Sequence, residues 1–348
     1  MNGIEITGLG KALPKTSLKN DALKQYMDTS DEWIRSRTGI ESRYLCTGRE
    51  SLTDLAAEAS RKAIEDARIR PEEIGLLICA TCTTDYMVPS VACAVQEILK
   101  IPGGVPAFDI NAACSGFVYG LQLIYALMNS GTVCRSDRKY VLLIGGEQLS
   151  KMLDFSERSV SVLFGDGAAA VIVKPSKDKH FFCHTAAEGD RSALYAHTVG
   201  RNQITGLSKQ GEKLVSPNPL NISEDYAQEI MKDGYLKMDG RKVFRFAVRA
   251  LSSEIDEMER QSGIRAEDVD YIVCHQANLR IIDYVRKQRK LPEDKFFVNL
   301  QEYGNTSGAS IPLALADMKD RGLLKAGTRI FCIGFGAGLT WGGCYLEF

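Results

Sequence analysis

One stretch of this 348-residue chain returns half a chain later. Arg70-Pro-Glu72-Glu73-Ile74-Gly-Leu-Leu-Ile78-Cys79 matches Arg265-Ala-Glu267-Asp268-Val269-Asp-Tyr-Ile-Val273-Cys274, an offset of 195 from Arg70 to Arg265. Cys114-Ser115-Gly116 matches Thr306-Ser307-Gly308 at an offset of 192, and Tyr140-Val-Leu-Leu-Ile144-Gly145 matches Arg329-Ile-Phe-Cys-Ile333-Gly334 at 189. Three separated matches whose offsets shrink this slowly mean a duplication, which constrains the fold more than any local pattern does. The period is too long for a solenoid. The chain therefore reads as two related halves, 1–174 and 175–348, with the polar stretch Lys174 to Lys179 at the boundary.

Within each half, helical stretches such as Leu52 to Ala67 and Val243 to Arg260 alternate with short apolar runs of strand length. That rhythm predicts an α/β protein with mixed, mainly parallel sheets covered by helices. Both halves should bury a sheet face against each other, giving one compact unit. The polar, Gly- and Pro-containing stretch Thr198 to Pro219 reads as a long loop or lid within an extended region at about 180–237. With 45% hydrophobic and 25% charged residues, the chain has the balance of a globular protein. No run approaches the roughly 18 apolar residues of a membrane span, and Met1-Asn2-Gly3-Ile4-Glu5 lacks the form of a signal peptide, so a cytoplasmic location is expected. A net charge of −1 argues against nucleic acid as a partner.

The ten cysteines suggest neither disulfides nor a metal site. Most lie in apolar runs (Cys79, Cys93, Cys274, Cys332, Cys344), where a thiol acts as a small hydrophobe. Cys79-x-x-Cys82 has no second pair, and His180-Phe-Phe-Cys183-His184 has no partner motif at zinc-like spacing.

Cys114 stands apart. Asp109-Ile-Asn111-Ala-Ala-Cys114-Ser115-Gly116 begins as a strand and continues into an apolar helical pattern through Leu127. Cys114 then sits near a helix N-terminus, where free amides and the helix dipole favour a thiolate. Taken alone, it fits equally a small residue at a tight strand–helix junction. Of the four histidines, His180, His184 and His197 fall near the lid, where solvated or loosely packed roles are expected. His275 directly follows the strand Val269 to Cys274, and the C-terminal ends of strands are where α/β sheets place their sites. A core histidine satisfied by a backbone carbonyl is the alternative, but the repeat sets His275 opposite Ala80. Gly304-Asn305-Thr306-Ser307-Gly308 falls opposite Ala112 to Ser115, which makes Asn305 a candidate donor across a pseudo-twofold axis as well as a turn former. The Gly-rich tail Gly334 to Gly343 is followed by a strand, not a helix, and so fails the dinucleotide-loop test. Arg241, Arg245 and Arg249 recur every four residues on one helix face, and Arg280 to Lys290 carries five positive residues against Asp283. Either stretch suits an acidic partner or a solvated face.

With Cys114, His275 and Asn305 in hand, the whole chain resembles the β-ketoacyl-acyl-carrier-protein synthase III family of the thiolase-like superfamily. The resemblance is carried by Asp31-Glu-Trp33-Ile-Arg-Ser-Arg37-Thr-Gly-Ile40, Ala113-Cys114-Ser115-Gly116, Phe164-Gly-Asp-Gly-Ala168, Met238-Asp-Gly240, His275-Gln-Ala-Asn-Leu-Arg-Ile281, Gly304-Asn-Thr-Ser307 and Leu339-Thr-Trp-Gly342. It implies an αβαβα homodimer that condenses an acyl-CoA primer with malonyl-acyl carrier protein and so initiates fatty-acid synthesis. Cys114 would be the acylated nucleophile, with His275 and Asn305 stabilising the enolate. The backbone amides of Cys114 and Ala337 would form the oxyanion hole. Trp33 and Arg158 would hold the CoA adenine with Arg37 near a phosphate, Arg245 and Arg280 would meet the carrier protein, and Met87 and Phe164 would belong to the acyl pocket. No tightly bound cofactor is implied, since the CoA thioester is a substrate, and no metal is implied.

Three departures stand out. Ala337 replaces a glycine usual in the family, Met87 replaces an aromatic residue that reaches into the partner's pocket, and the stretch from Gly167 to Met238 is longer than usual by roughly two dozen residues. Competing expectations are a specialised condensing or acyltransferase homologue of secondary metabolism, and a catalytically silent carrier-protein-binding subunit. A thiolase is disfavoured because Cys332, inside a strand-like run, reads as a packing residue.

Overall fold

The computed structural model describes residues 3–133, 137–196 and 235–348. Two sheets dominate. The first contains β1 (Gly3–Ala12), β4 (Ile74–Ala80), β5 (Ala107–Ile110), β6 (Tyr140–Glu147) and β7 (Gly167–Ser176), in the order β1-β7-β6-β4-β5. The second contains β8 (Phe182–Asp190), β11 (Tyr271–Cys274), β12 (Arg329–Gly336) and β13 (Gly338–Glu347), in the order β8-β13-β12-β11. Two small ribbons complete the strands: β2 (Thr16–Lys19) with β3 (Ser42–Leu45), and β9 (Leu194–Tyr195) with β10 (Lys237–Met238).

The second sheet repeats the first strand for strand. Each runs from an antiparallel edge through two antiparallel pairings to a parallel one. The counterpart of β5 is reduced to an isolated parallel bridge between Ile272 and Phe296. Register confirms two of the offsets: Cys79 pairs with Ile144 and Cys274 with Ile333, which is 195 on one strand and 189 on the other. The turn around Cys114 corrects the third. Short 3-10 turns at Ala113–Ser115 and Ser307–Ala309 lead into helices Gly116–Asn129 and Ser310–Asp320, an offset of 194 and not 192. Gly308 therefore stands opposite Cys114, and Asn305 opposite Asn111. Matching Ser-Gly pairs aligned similar residues, whereas the backbone aligns the turns: Ala113 and Ser307 share a left-handed conformation, with φ of 46° and 48°.

Alternation along the strands builds the layers. Leu76 and Ile78, Val141 and Leu143, and Ile330 and Cys332 face inward onto the helices Gly116–Asn129 and Ser310–Asp320, which lie between the sheets. Leu77 and Cys79, with Leu142 and Ile144, pack outward on helices Leu52–Ala67 and Val91–Ile98. On the far side Ile272, Cys274, Phe331 and Ile333 pack on helices Gly240–Ser262 and Leu279–Gln288. The result is five layers, helix–sheet–helix–sheet–helix. Strands covered on both faces read as unbroken apolar runs, which is why they were visible in the sequence.

Three expectations need correction. The sheets are mixed and not mainly parallel: among the described strands of the two sheets, three pairings are parallel and four antiparallel. The βαβ rhythm does not register strands such as β7 and β13 that return as hairpin-like neighbours. Residues 182–190, expected within an extended loop, form the edge strand β8, whose half-exposed face lacks a continuous apolar run. β7 continues to Ser176, so the connection between the sheets falls just beyond the boundary placed at 174/175. Thr198 to Pro219 and His197 lie outside the described residues. Among the described residues no helix is long and apolar enough to cross a membrane.

β1 sits so close to the helix Leu52–Ala67 that a Cβ on Gly8 would lie 2.3 Å from the Ala63 carbonyl oxygen, and one on Gly10 2.2 Å from that of Ala59. Both contacts are with backbone, which cannot rotate away. Gly10→Val is therefore expected to destabilise by about 1–3 kcal/mol or more, as overpacking does, read from the denaturant midpoint. An unchanged midpoint would show that the strand and helix can separate without cost.

Candidate active site

Cys114 lies where the first half's β5 gives way to the helix Gly116–Asn129, in the second residue of the intervening 3-10 turn. The turn is pinned from the other half. Thr340 donates its hydroxyl to the Ala112 carbonyl at 3.0 Å and stands 3.1 Å from the Ser115 hydroxyl, which Thr340 Oγ1 also reaches. A Cβ on Gly336 would meet the Cys114 sulfur at 2.9 Å, and one on Gly334 the Ser115 Cα at 2.9 Å. Glycine is required at both because the hairpin β12–β13 touches the Cys114 turn with no room between them.

His275 extends the β11–β12 ladder: its backbone N–H donates to the Ile333 carbonyl at 2.8 Å, placing the ring at the strand end. The ring is buried, stands edge-on to Phe335 with centroids 5.3 Å apart, and brings Nδ1 to 2.7 Å from the Ser310 hydroxyl. Asn305 is fixed through its backbone to Leu163 and Gly165, at 2.8 and 3.0 Å. Its Oδ1 accepts the Ser307 backbone N–H at 2.9 Å. Because an N–H can only donate, the carbonyl oxygen must face Ser307, which leaves the amide nitrogen as the outward donor.

These three side chains come from three separate segments of the sequence and meet on one cavity of about 250 Å3. Phe164, Phe246, Phe335 and Leu339 supply apolar wall, and Trp33, Arg37 and Asn278 lie along the same cavity. Trp33 is flanked by two guanidiniums: Arg37 at 4.5 Å and Arg158 at 4.8 Å from the ring centre. Arg158 also donates to the Asp28 carbonyl at 2.7 Å.

Burial dominates the electrostatics. It pushes the Cys114 thiol up to about 12, outweighing the Ser307 hydroxyl and the backbone N–H groups of Ala337 and Cys114, which all favour the thiolate. The expected resting thiolate is thus corrected to a thiol: desolvation costs more than the turn's amides return. Burial also lowers His275 to about 3, so the imidazole is neutral. Behind Cys114 lies Glu147, fully buried, taking hydrogen bonds from the Thr83 hydroxyl at 2.5 Å and the Cys82 backbone at 3.2 Å. Burial raises its carboxyl group above the usual range.

The remaining candidates are placed unevenly. Ala337 is the single residue between β12 and β13, with its amide toward Cys114. Arg245 and Arg280 are exposed on the adjoining helices Gly240–Ser262 and Leu279–Gln288, near the edge-on pair Phe244–Tyr284. Arg249 instead pairs with Glu188 at 2.7 Å, and Arg289 with Asp256 at 2.5 Å, so part of the basic run is already neutralised. Met87 does not line this chain's cavity; it is 96% exposed, beside Tyr86 at 60% and Val88 at 83%. His184 is not loosely held either, since its Nδ1 lies 2.9 Å from buried Glu254. The sequence reading missed Gly336, Ser307, Ser310, Thr340 and Glu147. The stretches Thr306 to Ser310 and Gly334 to Gly343 stood out in the sequence, but the roles of these residues depend on contacts between halves.

An unfolded histidine takes up a proton near 6.5, while folded His275 does not until about 3. Between those values acid draws protons to the unfolded chain, so this group lowers stability as pH falls below about 6.5 and has no effect above it. Urea unfolding of the wild type and His275→Gln at pH 8, 6 and 5 is expected to give a smaller acid loss in the variant. Parallel curves would mean that folded His275 accepts the proton.

A family model described as 3-Oxoacyl-[acyl-carrier-protein (ACP)] synthase III matches residues 108–190, and its C-terminal companion matches residues 260–348. A beta-ketoacyl-[acyl-carrier-protein] synthase III of Clostridium acetobutylicum is 42% identical over 347 residues, covering 100% of this chain and 99% of its own. The crystal structure of a 3-oxoacyl-[acyl-carrier-protein] synthase III from Aquifex aeolicus superposes with a TM-score of 0.84 at 40% identity, covering 99% of this chain and 100% of that one. A counterpart from Pseudomonas aeruginosa gives 0.85 at 34%, covering 99% and 98%.

Proposed function

The chain belongs to the 3-oxoacyl-[acyl-carrier-protein] synthase III family, and from that premise we propose how its own residues divide the work of the decarboxylative condensation that begins fatty-acid synthesis. It is an acyltransferase of the condensing type. The observation that carries the assignment is the convergence of one thiol and two neutral N–H donors on a single apolar-walled cavity.

In the first half-reaction the Cys114 sulfur attacks the acyl-CoA carbonyl carbon. The oxygen becomes an oxyanion facing the amides of Cys114 and Ala337, donors worth about 2.7–4 kcal/mol each if they behave like measured ones. The C–S bond to CoA breaks, and the thiol proton of Cys114 balances the departing CoA thiol. The acyl group now waits as a thioester on Cys114. In the second, malonyl-acyl carrier protein loses CO2, and the electron pair of that C–C bond becomes an enolate. His275 and Asn305 donate to the enolate oxygen. Its carbon attacks the acyl-Cys114 carbonyl, passes through the same oxyanion site, and Cys114 departs, taking up a proton. Decarboxylation makes the carbanion without a strong base, so neutral donors suffice and no ionised carboxylate is required.

Trp33 and Arg158 would sandwich the CoA adenine, Arg158 swinging off the ring it stacks on in the free chain, with Arg37 on a phosphate. Met87, at the tip of an exposed apolar loop, would reach toward the acyl pocket of a second copy in a homodimer. Phe164 would line the pocket from within. The CoA thioester serves as substrate, with no tightly bound cofactor.

Intact-mass spectrometry after incubation with a panel of acyl-CoAs tests the reading. Cys114→Ala is expected to abolish the acyl adduct while keeping fold and assembly. His275→Ala and Asn305→Ala are expected to keep self-acylation but lose malonyl decarboxylation by 100-fold or more, on the order of a lost acid–base or oxyanion donor. Acylation at another cysteine, or equal loss of both half-reactions, would sink the assignment.

Arg245 and Arg280 would hold the acidic carrier protein at the cavity mouth. Reversing both to Glu is expected to raise KM for malonyl-carrier protein about tenfold at low salt and to flatten its salt dependence, because exposed complementary charges govern encounter and are screened by ions. Self-acylation by acyl-CoA should change less. Unchanged carrier-protein kinetics at two ionic strengths would move the docking surface elsewhere.

A further inference from the structure

We propose that Ser310 is a positioning residue that fixes the tautomer of His275, so that the imidazole carries its proton on Nε2 and presents that N–H to the cavity. For its kinetic consequence this rests on the preceding reading of His275 as an enolate donor; the tautomer itself stands on geometry.

Ser310 opens the helix Ser310–Asp320 and is 1% exposed. Its hydroxyl oxygen lies 2.7 Å from His275 Nδ1 and accepts the Gln276 backbone N–H at 3.4 Å. Among the described residues, Nδ1 is the only acceptor within hydrogen-bond distance of that hydroxyl proton. A buried hydroxyl that gives its proton to nothing is costly, so Ser310 donates and Nδ1 accepts. A neutral imidazole whose Nδ1 accepts must hold its single proton on Nε2. The opposite tautomer would set two hydrogens, from Nδ1 and from Gln276, on the Ser310 oxygen and strand the hydroxyl proton in the core.

Two further contacts hold the ring in this pose: the His275 backbone N–H on the Ile333 carbonyl, and the edge-on Phe335. Burial keeps the ring neutral, so no second proton arrives to make both nitrogens donors. The same short turn sets the other donor, because the Ser307 N–H turns the Asn305 carbonyl away from the cavity. Residues 307 and 310 thus orient both N–H groups from the helix start that lies opposite the nucleophile's own.

The test uses the full-length protein labelled with 15N-histidine. It contains four imidazoles, and the one from His275 is identified by its loss in His275→Ala. The wild-type spectrum is expected to show a protonated Nε2 and a bare Nδ1; a protonated Nδ1 overturns the proposal. This needs no variant at Ser310, so it survives any folding defect. Ser310→Ala is then expected to slow malonyl decarboxylation about tenfold relative to self-acylation, the worth of one neutral hydrogen bond, with a changed Nδ1 resonance. Ser310→Thr, which keeps the hydroxyl, should restore most of that ratio. An unchanged ratio and resonance in Ser310→Ala overturn the positioning role. Decarboxylation that survives His275→Ala overturns instead the donor reading of His275, while the spectrum still decides the tautomer.

Discussion

The strand ends of each half press on a short turn of the other with no room for a side chain. Gly334 and Gly336 lie against Ser115 and Cys114, and Gly145 lies against the Gly308 carbonyl, where a Cβ would come within 2.5 Å. Here the duplicated halves touch with no room for a side chain, so glycine is the residue that fits. Everything else follows from that contact. It brings the start of the helix Gly116–Asn129 and the start of the helix Ser310–Asp320 to the same place from opposite sides, and the ends of β11 and β12 with them. A larger residue at these positions would part the layers by the width of a methyl group and move the Cys114 turn away from the end of β12.

That proximity also decides the electrostatics. The meeting of two halves excludes water, so burial governs each titratable group near the centre. It holds Cys114 as a thiol, His275 as a neutral imidazole and Glu147 above its ordinary range. A site so dry handles ionic intermediates poorly unless fixed dipoles meet them. The chain supplies such dipoles as backbone N–H groups and two neutral side chains, each turned by a partner one layer back.

The duplication was legible because it lies in primary pattern. Two of three offsets, 195 and 189, reappear in strand register, since strands buried on both faces must keep their apolar runs. The helix Leu52–Ala67 matched its pattern to the residue. The third offset failed because similar residues, Ser-Gly in each half, are not at equivalent backbone positions. β8 was misjudged as loop because an edge strand has no unbroken apolar run to mark it. Cys114 and His275 could be nominated because each comes just after a strand, and Asn305 because the repeat set its Gly-rich turn opposite the turn of Cys114. The roles of Ser310, Thr340, Gly336 and Glu147 could not be read, because each depends on a partner from the other half or from a distant segment.

The sequence by itself determined the class of fold and the two-half architecture and nominated Cys114, His275 and Asn305 as the candidate site, because strand burial, helix periodicity and turn chemistry are local and repeat with the duplication. Tertiary structure alone decided the protonation of the thiol, the neutral state of the histidine, and which atom of Asn305 faces the cavity. It also decided that Met87 stands exposed outside its own chain's cavity and that part of the basic run is spent on internal pairs. The physical reason is common to all of these. A proton's position and a side chain's direction are set by desolvation and by hydrogen-bond partners that arrive from distant segments, and no spacing along one chain encodes the distance between two turns that meet only when the halves close.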